Sequence, residues 1–584
     1  MQIRIDKIVA VLSDGTETEL RTKISQDAQG LRIVVTPNTD MRIREFVLYR
    51  GKHGFAPNAR FYGDGYSKLS QYGGRLNRIR NIGSYADRTH YRMPCCKGFH
   101  TCYNYIWIND DSGHALIGAT SCYRFRTELR VAVHDMQIVQ CAENVRFAKG
   151  EEIELERMFI GQGQEKAPLF DTFADMLENN HPRKVTAAYP TGWCSWYCIG
   201  SDVTESKILE NLEAIRRKTP QLQYIQIDDG YQPHMGDWLD VGDRFGKSMQ
   251  EVCAEIKSKG FEPAVWVAPF IASANSRLLQ EHPDYFVRDE SGQPLCSDRV
   301  TFAGWREAPW YFVDGTSDGA IAYIKQVFHT MYYEWGVKYF KLDANMWGAL
   351  PFGKRAQNAT SVEAYRRAMA AIWEAVGNDA YILGCNAPMW PSLGLVSAMR
   401  VTGDIIRNTR WQNKLLGECF NRNWMHDRLW INDPDCLVMK PDTVNVMDAG
   451  GKRRITISSK KFYKMNAVYV RASGGVVLSG DYVQQYSPDD VARLKRMLDC
   501  PRIAATFDTA CEIGRIDYDN ATEYCLFNRN RWRSKTVWLS VKDAKVTDMY
   551  DGKTIDCRSD MYRVKLRPYD AAWIRVEHHR QANQ

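Results

Sequence analysis

The sequence predicts an α/β protein: a central (β/α)8 TIM barrel with an N-terminal β-sandwich domain and a small C-terminal antiparallel β domain. Three observations carry that prediction. Between Thr191 and Asp481, eight strand-like runs alternate with amphipathic helical stretches over about 290 residues, the pattern and size of a parallel barrel. The stretch before it consists of short runs rich in β-branched and aromatic residues between turn clusters. After Pro488 and one helical segment, short strand-like runs return. The expected division is 1–184, 185–487 and 488–584.

Taken in order, the N-terminal part reads as strands at Leu31–Val35, Arg44–Tyr49, Thr127–Val133 and Glu152–Phe159, and a connector, HPRKVTAAYP, covers His181–Pro190. The barrel strands are expected at Gly192–Trp196, Tyr224–Asp229, Pro263–Pro269, Lys338–Asp343, Tyr381–Asn386, Ala398–Asp404, Leu429–Asp433 and Gly475–Asp481. A helix over Thr204–Arg217 places Ile208, Leu212 and Ile215 on one face behind Thr204 as N-cap. A helix over Asp489–Leu498 precedes strands at Glu523–Phe527, Thr536–Ser540, Lys545–Tyr550, Arg563–Leu566 and Ala572–Val576.

Composition narrows the function. The 584 residues carry 77 basic and 70 acidic side chains, a net charge of +7 spread without blocks of one sign, so neither nucleic acid nor an anionic membrane is an expected partner. The first twenty residues contain only a five-residue apolar run, Ile8–Leu12, too short for a secretory signal or a membrane span. Sixteen cysteines show no repeated zinc spacing and read as reduced, mostly packed thiols. The expected location is the cytoplasm, or the outside of the cell if an export leader has been trimmed away. There is no Walker motif and no Gly-rich fingerprint after a strand. No cofactor and no metal are expected, and the oligomeric state is left open.

In a barrel of this kind the working residues stand at the carboxyl ends of the strands. Here those ends are acidic: Asp228 and Asp229, Asp343, Asp404, Asp433 and Asp481. A ring of carboxylates is costly to bury without basic partners or a polar ligand. No histidine stands with them in a metal-ligand spacing and HExxH is absent, so the ring reads as a sugar site. Cleavage of a glycosidic bond needs one ionised carboxylate and one that carries a proton. Lys341 shares a strand face with Asp343 and is placed to keep it ionised; Arg400, four residues before Asp404, lowers rather than raises that group's pKa. Aromatic residues crowd the same ends: Trp193, Trp196, Tyr197, Tyr231, Trp238, Trp266, Trp347, Trp390 and Trp430. Indole walls beside carboxylates suit the apolar face and polar edge of a sugar.

The segments GWCSWY, YIQIDDGYQPHMGDWL, GFEPAVWVAPF, YFKLDANMWGALP, YILGCNAP, MRVTGD, NWMHDRLWINDPDCL and VVLSGD resemble, in order, those of glycoside hydrolase family 36, the α-galactosidase and raffinose-synthase family. MRVTGDI and WINDPD also resemble family 27 of the same clan. The resemblance covers about residues 185–485; the β-rich flanks resemble the family's N-terminal supersandwich and C-terminal β domain more weakly. It implies a retaining exo-glycosidase that hydrolyses terminal non-reducing α-D-galactosides of oligosaccharides or glycoconjugates. Asp343 matches the nucleophile and Asp404 the acid/base. Asp228 and Asp229 match the pair that holds O4 and O6, Lys341 and Arg400 match binders of ring hydroxyls, Trp196 and Trp266 match aromatic walls, and Cys385 matches a cysteine beside C2; Tyr197, next to Trp196, is a further candidate at the substrate. The chain departs from the pattern after Asp343 (ANMWG), after Cys385 (NAPMW), and in the N-terminal stretch YGDGYSKLSQYGG, where Tyr66 stands in for a capping tryptophan. The alternatives are an α-N-acetylgalactosaminidase, a galactosyl transferase of raffinose-synthase type, and a non-catalytic galactose-binding barrel.

Overall fold

The computed structural model describes residues 3–184, 189–441, 446–447, 453–454, 460–541 and 544–578. Eight parallel strands form the central sheet: β1 (Thr191–Cys194), β2 (Tyr224–Ile227), β3 (Glu262–Val267), β4 (Tyr339–Leu342), β5 (Tyr381–Gly384), β6 (Ala398–Arg400), β7 (Ile431–Asp433) and β8 (Val477–Ser479). Their order is β8-β1-β2-β3-β4-β5-β6-β7. The ends of that order approach closure, since Val476 N–H donates to Asn432 O at 2.9 Å. All eight strands fall inside the expected segments apart from one residue at the start of β1 and of β3. Seven of them end one to four residues earlier than expected and β7 ends at Asp433 as expected, so Asp228, Asp229, Asp343, Asp404 and Asp481 lie just beyond their strands while Asp433 stays in the ladder. The helix after β1 spans Glu205–Lys218, and the Thr204 side chain accepts from Lys207 N–H, the expected N-cap.

The N-terminal antiparallel domain is one 13-stranded ladder network. It curls back on itself because Arg126–Val131 pairs on one side with Asp135–Phe147 and on the other with His100–Asp110. Register shifts at Ile138/Val139 and Cys141/Val145 supply the bend. The run expected as one strand over Glu152–Phe159 is broken into Ile153–Glu154 and Met158–Gly163. Between them Glu156 is buried, and one of its carboxylate oxygens accepts from the N–H groups of Tyr123, Arg124 and Phe125 at 2.8, 2.7 and 2.9 Å, which pulls the chain off the ladder. Part of the expected connector, 185–188, lies outside the described residues.

The C-terminal domain has a six-stranded and a two-stranded antiparallel sheet. It docks on the helix Lys460–Ser473 through a buried pair, Arg471 Nη2 to Glu523 Oε2 at 2.9 Å, with Trp573 Nε1 donating to the same oxygen. All sixteen cysteines are free thiols. No helix among the described residues is long and apolar enough to cross a membrane.

Candidate active site

The expected site residues of β2 to β7 converge on one mouth. Asp343 directly follows β4 and is mostly buried. Its Oδ2 accepts from Trp266 Nε1 at 3.1 Å, and its Oδ1 accepts from Ala344 N–H at 2.7 Å and from Asn386 Nδ2 at 2.8 Å. Ala344 and Asn386 both adopt positive φ, 52° and 40°, a region sparsely used by non-glycine residues. Those two kinks accompany the turns that bring the Ala344 amide and the Asn386 carboxamide onto the same oxygen.

Asp404 lies four residues beyond Arg400, and 55% of its side-chain surface is open to the mouth. Its Oδ1 faces two cations, Arg400 Nη1 at 3.0 Å and Lys68 Nζ at 3.5 Å. Removal from water raises its pKa, but Lys68, Arg400 and Lys341 together outweigh that and hold the carboxyl down at about 2. The direction expected for Arg400 is therefore the one found, and a second cation from the N-terminal domain reinforces it. Arg400 also holds Asp433 through Nε at 2.9 Å and Asp435 through Nη2 at 3.0 Å, so each guanidinium nitrogen faces a carboxylate. Asp435 is buried and hydrogen-bonded by the Tyr197 hydroxyl. Burial raises its pKa, Arg400 opposes this, and Asp404 and Asp433 add to the rise.

On the other side of the mouth, Asp228 is held at both oxygens. Its Oδ2 accepts from Lys341 Nζ at 2.9 Å and Gln226 Nε2 at 2.7 Å, and its Oδ1 from Asp229 N–H at 3.0 Å. Lys341 thus gives its hydrogen bond to Asp228 rather than to Asp343. Both side chains point into the barrel, where the nearer acceptor for a long lysine is the carboxylate arriving from β2. Burial works against the Lys341 charge, but Asp228 keeps the ammonium protonated. Asp229 accepts from Arg306 Nη2 at 2.7 Å and Gln232 Nε2 at 2.9 Å.

The aromatic expectations divide. Trp266 is buried, 5.9 Å from Trp238 in an edge-on contact, and acts here through its N–H. Trp196 is half-buried, while Tyr197 is committed to Asp435. Cys385 is buried, its thiol pushed up to about 12 chiefly by burial, and lies 3.5 Å from Lys68 Nζ. Tyr66 is not a free cap: it is 1% exposed and its hydroxyl donates to Ala349 O. Two residues further along the same stretch, Lys68 reaches the mouth instead.

Lys68, Arg306, Asn386 and Asp435 are site residues that the strand-end reading did not single out. Arg306 lies in the long excursion after β3. Asn386 and Asp435 lie within YILGCNAP and NWMHDRLWINDPDCL, beside Cys385 and Asp433. Lys68 is separated from Asp404 by 336 positions, and its only sequence signal is a lone lysine in a Gly- and Ser-rich stretch.

Residues 169–378 match the Melibiase family. Over 264 residues, 42% of this chain, the sequence is 24% identical to the A type blood α-D-galactosamine galactosaminidase of Flavonifractor plautii. That match covers 24% of the relative, so the chain spans about a quarter of its length. The fold is similar to that of an α-galactosidase from Thermus thermophilus in complex with p-nitrophenyl α-D-galactopyranoside, with a TM-score of 0.62 and 21% identity over 87% of this chain and 97% of that one. The same Thermus enzyme has been solved with stachyose. The fold also matches the α-galactosidase from Lactobacillus brevis, with a TM-score of 0.65 and 10% identity over 100% of this chain and 89% of the other.

Proposed function

We propose that the chain, whose residues 169–378 match the Melibiase family, is a retaining exo-glycosidase of that family acting on terminal non-reducing α-D-galactosides. The observation that carries this reading is the pair at the ends of β4 and β6. One carboxylate is fixed by three uncharged donors and the other is exposed to the mouth and charge-paired through a single oxygen.

In this reading Asp343 attacks the anomeric carbon while Asp404, in the minority of molecules where it carries a proton against the pull of Lys68 and Arg400, gives that proton to the departing oxygen, and the sugar is held on Asp343 as a β-linked ester. Asp404, then ionised, takes a proton from water, which attacks the same carbon and frees the sugar with its original configuration. The sugar's O4 and O6 fall to Asp228 and Asp229, its ring hydroxyls to Lys341 and Arg400, and its apolar face to Trp196 and Trp266.

The space beside C2, placed by the resemblance at Cys385, bears on the choice of sugar. A 2-ammonium group there would face the Lys68 ammonium, 3.5 Å from the Cys385 sulfur. That contact favours a 2-hydroxyl or an uncharged 2-acetamido group over the galactosamine named for the Flavonifractor relative.

The test is a panel of aryl α-galactoside, α-N-acetylgalactosaminide and α-galactosaminide, with wild type and Asp343→Ala. The expected result is turnover of the galactoside, none by Asp343→Ala, and partial rescue of the variant by azide with formation of a β-galactosyl azide. Undiminished turnover by Asp343→Ala overturns the assignment. Trisaccharide formation with sucrose present would instead make the protein a transferase, and galactose binding without turnover a lectin-like barrel.

A further inference from the structure

The stretch from Asp64 to Gln71 leaves the N-terminal sheet and is pinned between the two domains. On the barrel side, buried Arg422 donates to Asp64 Oδ1 through Nη2 at 2.6 Å and Nε at 3.0 Å, and to Lys68 O through Nη1 at 2.5 Å. Met389 N–H donates to Tyr66 O at 2.9 Å. From its own domain, Asp87 accepts from Tyr66 N–H at 2.7 Å and from the Ser67 hydroxyl at 2.6 Å. The segment therefore has little freedom, and the Lys68 side chain, 1% exposed, ends between Cys385 and Asp404. Burial opposes the charge on Lys68, but Cys385 and Asp404 raise its pKa above the ordinary lysine value, so the group is a cation.

We propose that Lys68 is a positioning residue for Asp404: with Arg400 it anchors Oδ1 and leaves Oδ2 as the oxygen that gives and takes the catalytic proton. The inference rests on the acid/base reading of Asp404. Both contacts go to Oδ1, and Oδ2 has no hydrogen-bond partner among the described residues. An open aspartate would otherwise rotate and present either oxygen. The other charged or titratable groups that act on Asp404 or feel it are Arg400 from β6, Lys341 from β4, Tyr197 and Tyr91, and Asp435 from the loop after β7. Lys68 is the one cation of this set that comes from outside the barrel. In the first half-reaction the Oδ2 proton moves to the glycosidic oxygen as the C–O bond breaks, and the negative charge left on Asp404 lies against Lys68 and Arg400. In the second, Oδ2 takes a proton from the attacking water.

The experiment compares wild type with Lys68→Met, Lys68→Gln and Lys68→Arg. The carboxyl of Asp404 is followed by ¹³C NMR titration, assigned by difference against Asp404→Asn, and kcat/KM is measured against pH on an aryl α-galactoside. Removing one cation at this range raises a carboxyl pKa by roughly one unit or more. In Lys68→Met and Lys68→Gln the Asp404 titration is expected to move up accordingly and the pH optimum to rise by about half a unit, with Lys68→Arg near wild type in both. A folded Lys68→Met or Lys68→Gln whose Asp404 titration is unmoved overturns the proposal, even if its rate falls. If wild type turns over no α-galactoside, the functional reading fails, and the carboxyl titration still decides whether Lys68 governs Asp404.

Discussion

The ends of β4 and β6 each bring one carboxylate to the barrel mouth, and they hold it by opposite means. Asp343 takes three hydrogen bonds, all from uncharged donors and shared between both oxygens. Asp404 takes two contacts, both from cations and both on one oxygen. Uncharged donors fix direction while leaving the negative charge available for attack. Cations set how readily a proton is held, and placing them on one oxygen leaves the other for exchange. The contrast assigns orientation to the β4 end and proton chemistry to the β6 end.

The most direct way to break the contrast is Asp404→Asn, which keeps the shape and removes the proton donor. On substrates with sugar leaving groups the expected loss in kcat/KM is roughly 10²- to 10⁴-fold. On an aryl galactoside whose leaving group needs no proton the loss in the first step should be far smaller. Equal losses on both substrates, in steady-state assays, would show that Asp404 is not the acid. Next in size is Arg422→Met, which strips Asp64 of its buried partner at 0% exposure. Leaving one member of a buried pair uncompensated costs about 3–5 kcal/mol, so a drop of that order in the unfolding free energy is expected from denaturant titration. Partial loss of activity should accompany it as the Lys68 segment loosens. Stability unchanged within about 1 kcal/mol would mean that Asp64 finds another partner.

The β4 end was the more legible of the two. Apart from Asn386 its elements are local: Asp343 directly follows β4, which carries Lys341, and Trp266 lies near the end of the neighbouring β3, so alternation and strand order bring them together. At the β6 end the motif supplied Arg400 and Asp404, and even the sign of the Arg400 effect, but Lys68 arrives by a contact between domains. No period or spacing encodes such a contact. The same holds on the far side for Arg306, which a long loop folds back over Asp229. Periodicity marked which strands exist and, to within a few residues, where they end. It could not show that Lys341 passes over Asp343 to reach Asp228, because that choice depends on how side chains converge inside a closed sheet. Tyr66 misled for a related reason: the stretch is at the site, but its ring turns away toward Ala349.

The segment that carries Lys68 is pinned by a titratable group from its own domain, Asp87. Burial raises the Asp87 pKa to about 6, with the hydrogen bonds from Ser67 and Tyr66 pulling back only part of that. A carboxyl whose folded pKa lies above its unfolded value near 3.8 is stabilising only while protonated. Its contribution is therefore full below about pH 4 and is lost as pH rises through about 6. At 1.36 kcal/mol per unit the loss amounts to about 3 kcal/mol at most. In Asp87→Asn that slope should vanish. Unfolding free energies measured from pH 4 to pH 7 should show the variant gaining on wild type as pH rises, whatever its absolute stability. Parallel curves would mean that Asp87 titrates alike in the folded and unfolded chain.

The smallest effect is expected from Trp266→Phe, and it separates the two ends most cleanly. Phenylalanine keeps an aromatic ring against Trp238 but cannot donate to Asp343 Oδ2. Two of the three donors, Ala344 N–H and Asn386 Nδ2, remain on Oδ1, so the carboxylate keeps one anchored edge and loses the other. A hydrogen bond to a charged group is worth about 1.5–3 kcal/mol. Part of it is recovered when water or substrate takes the vacated oxygen, so a fall in kcat of about tenfold is expected. Because the lost donor is uncharged and far from Lys68 and Arg400 in the hydrogen-bond network, the pH optimum should stay where those cations set it. Lys68→Met should do the reverse, moving the optimum whether or not the maximal rate falls. If Trp266→Phe shifts the optimum as much as Lys68→Met does, the two carboxylates titrate as one coupled unit, and the division of labour between the β4 and β6 ends fails.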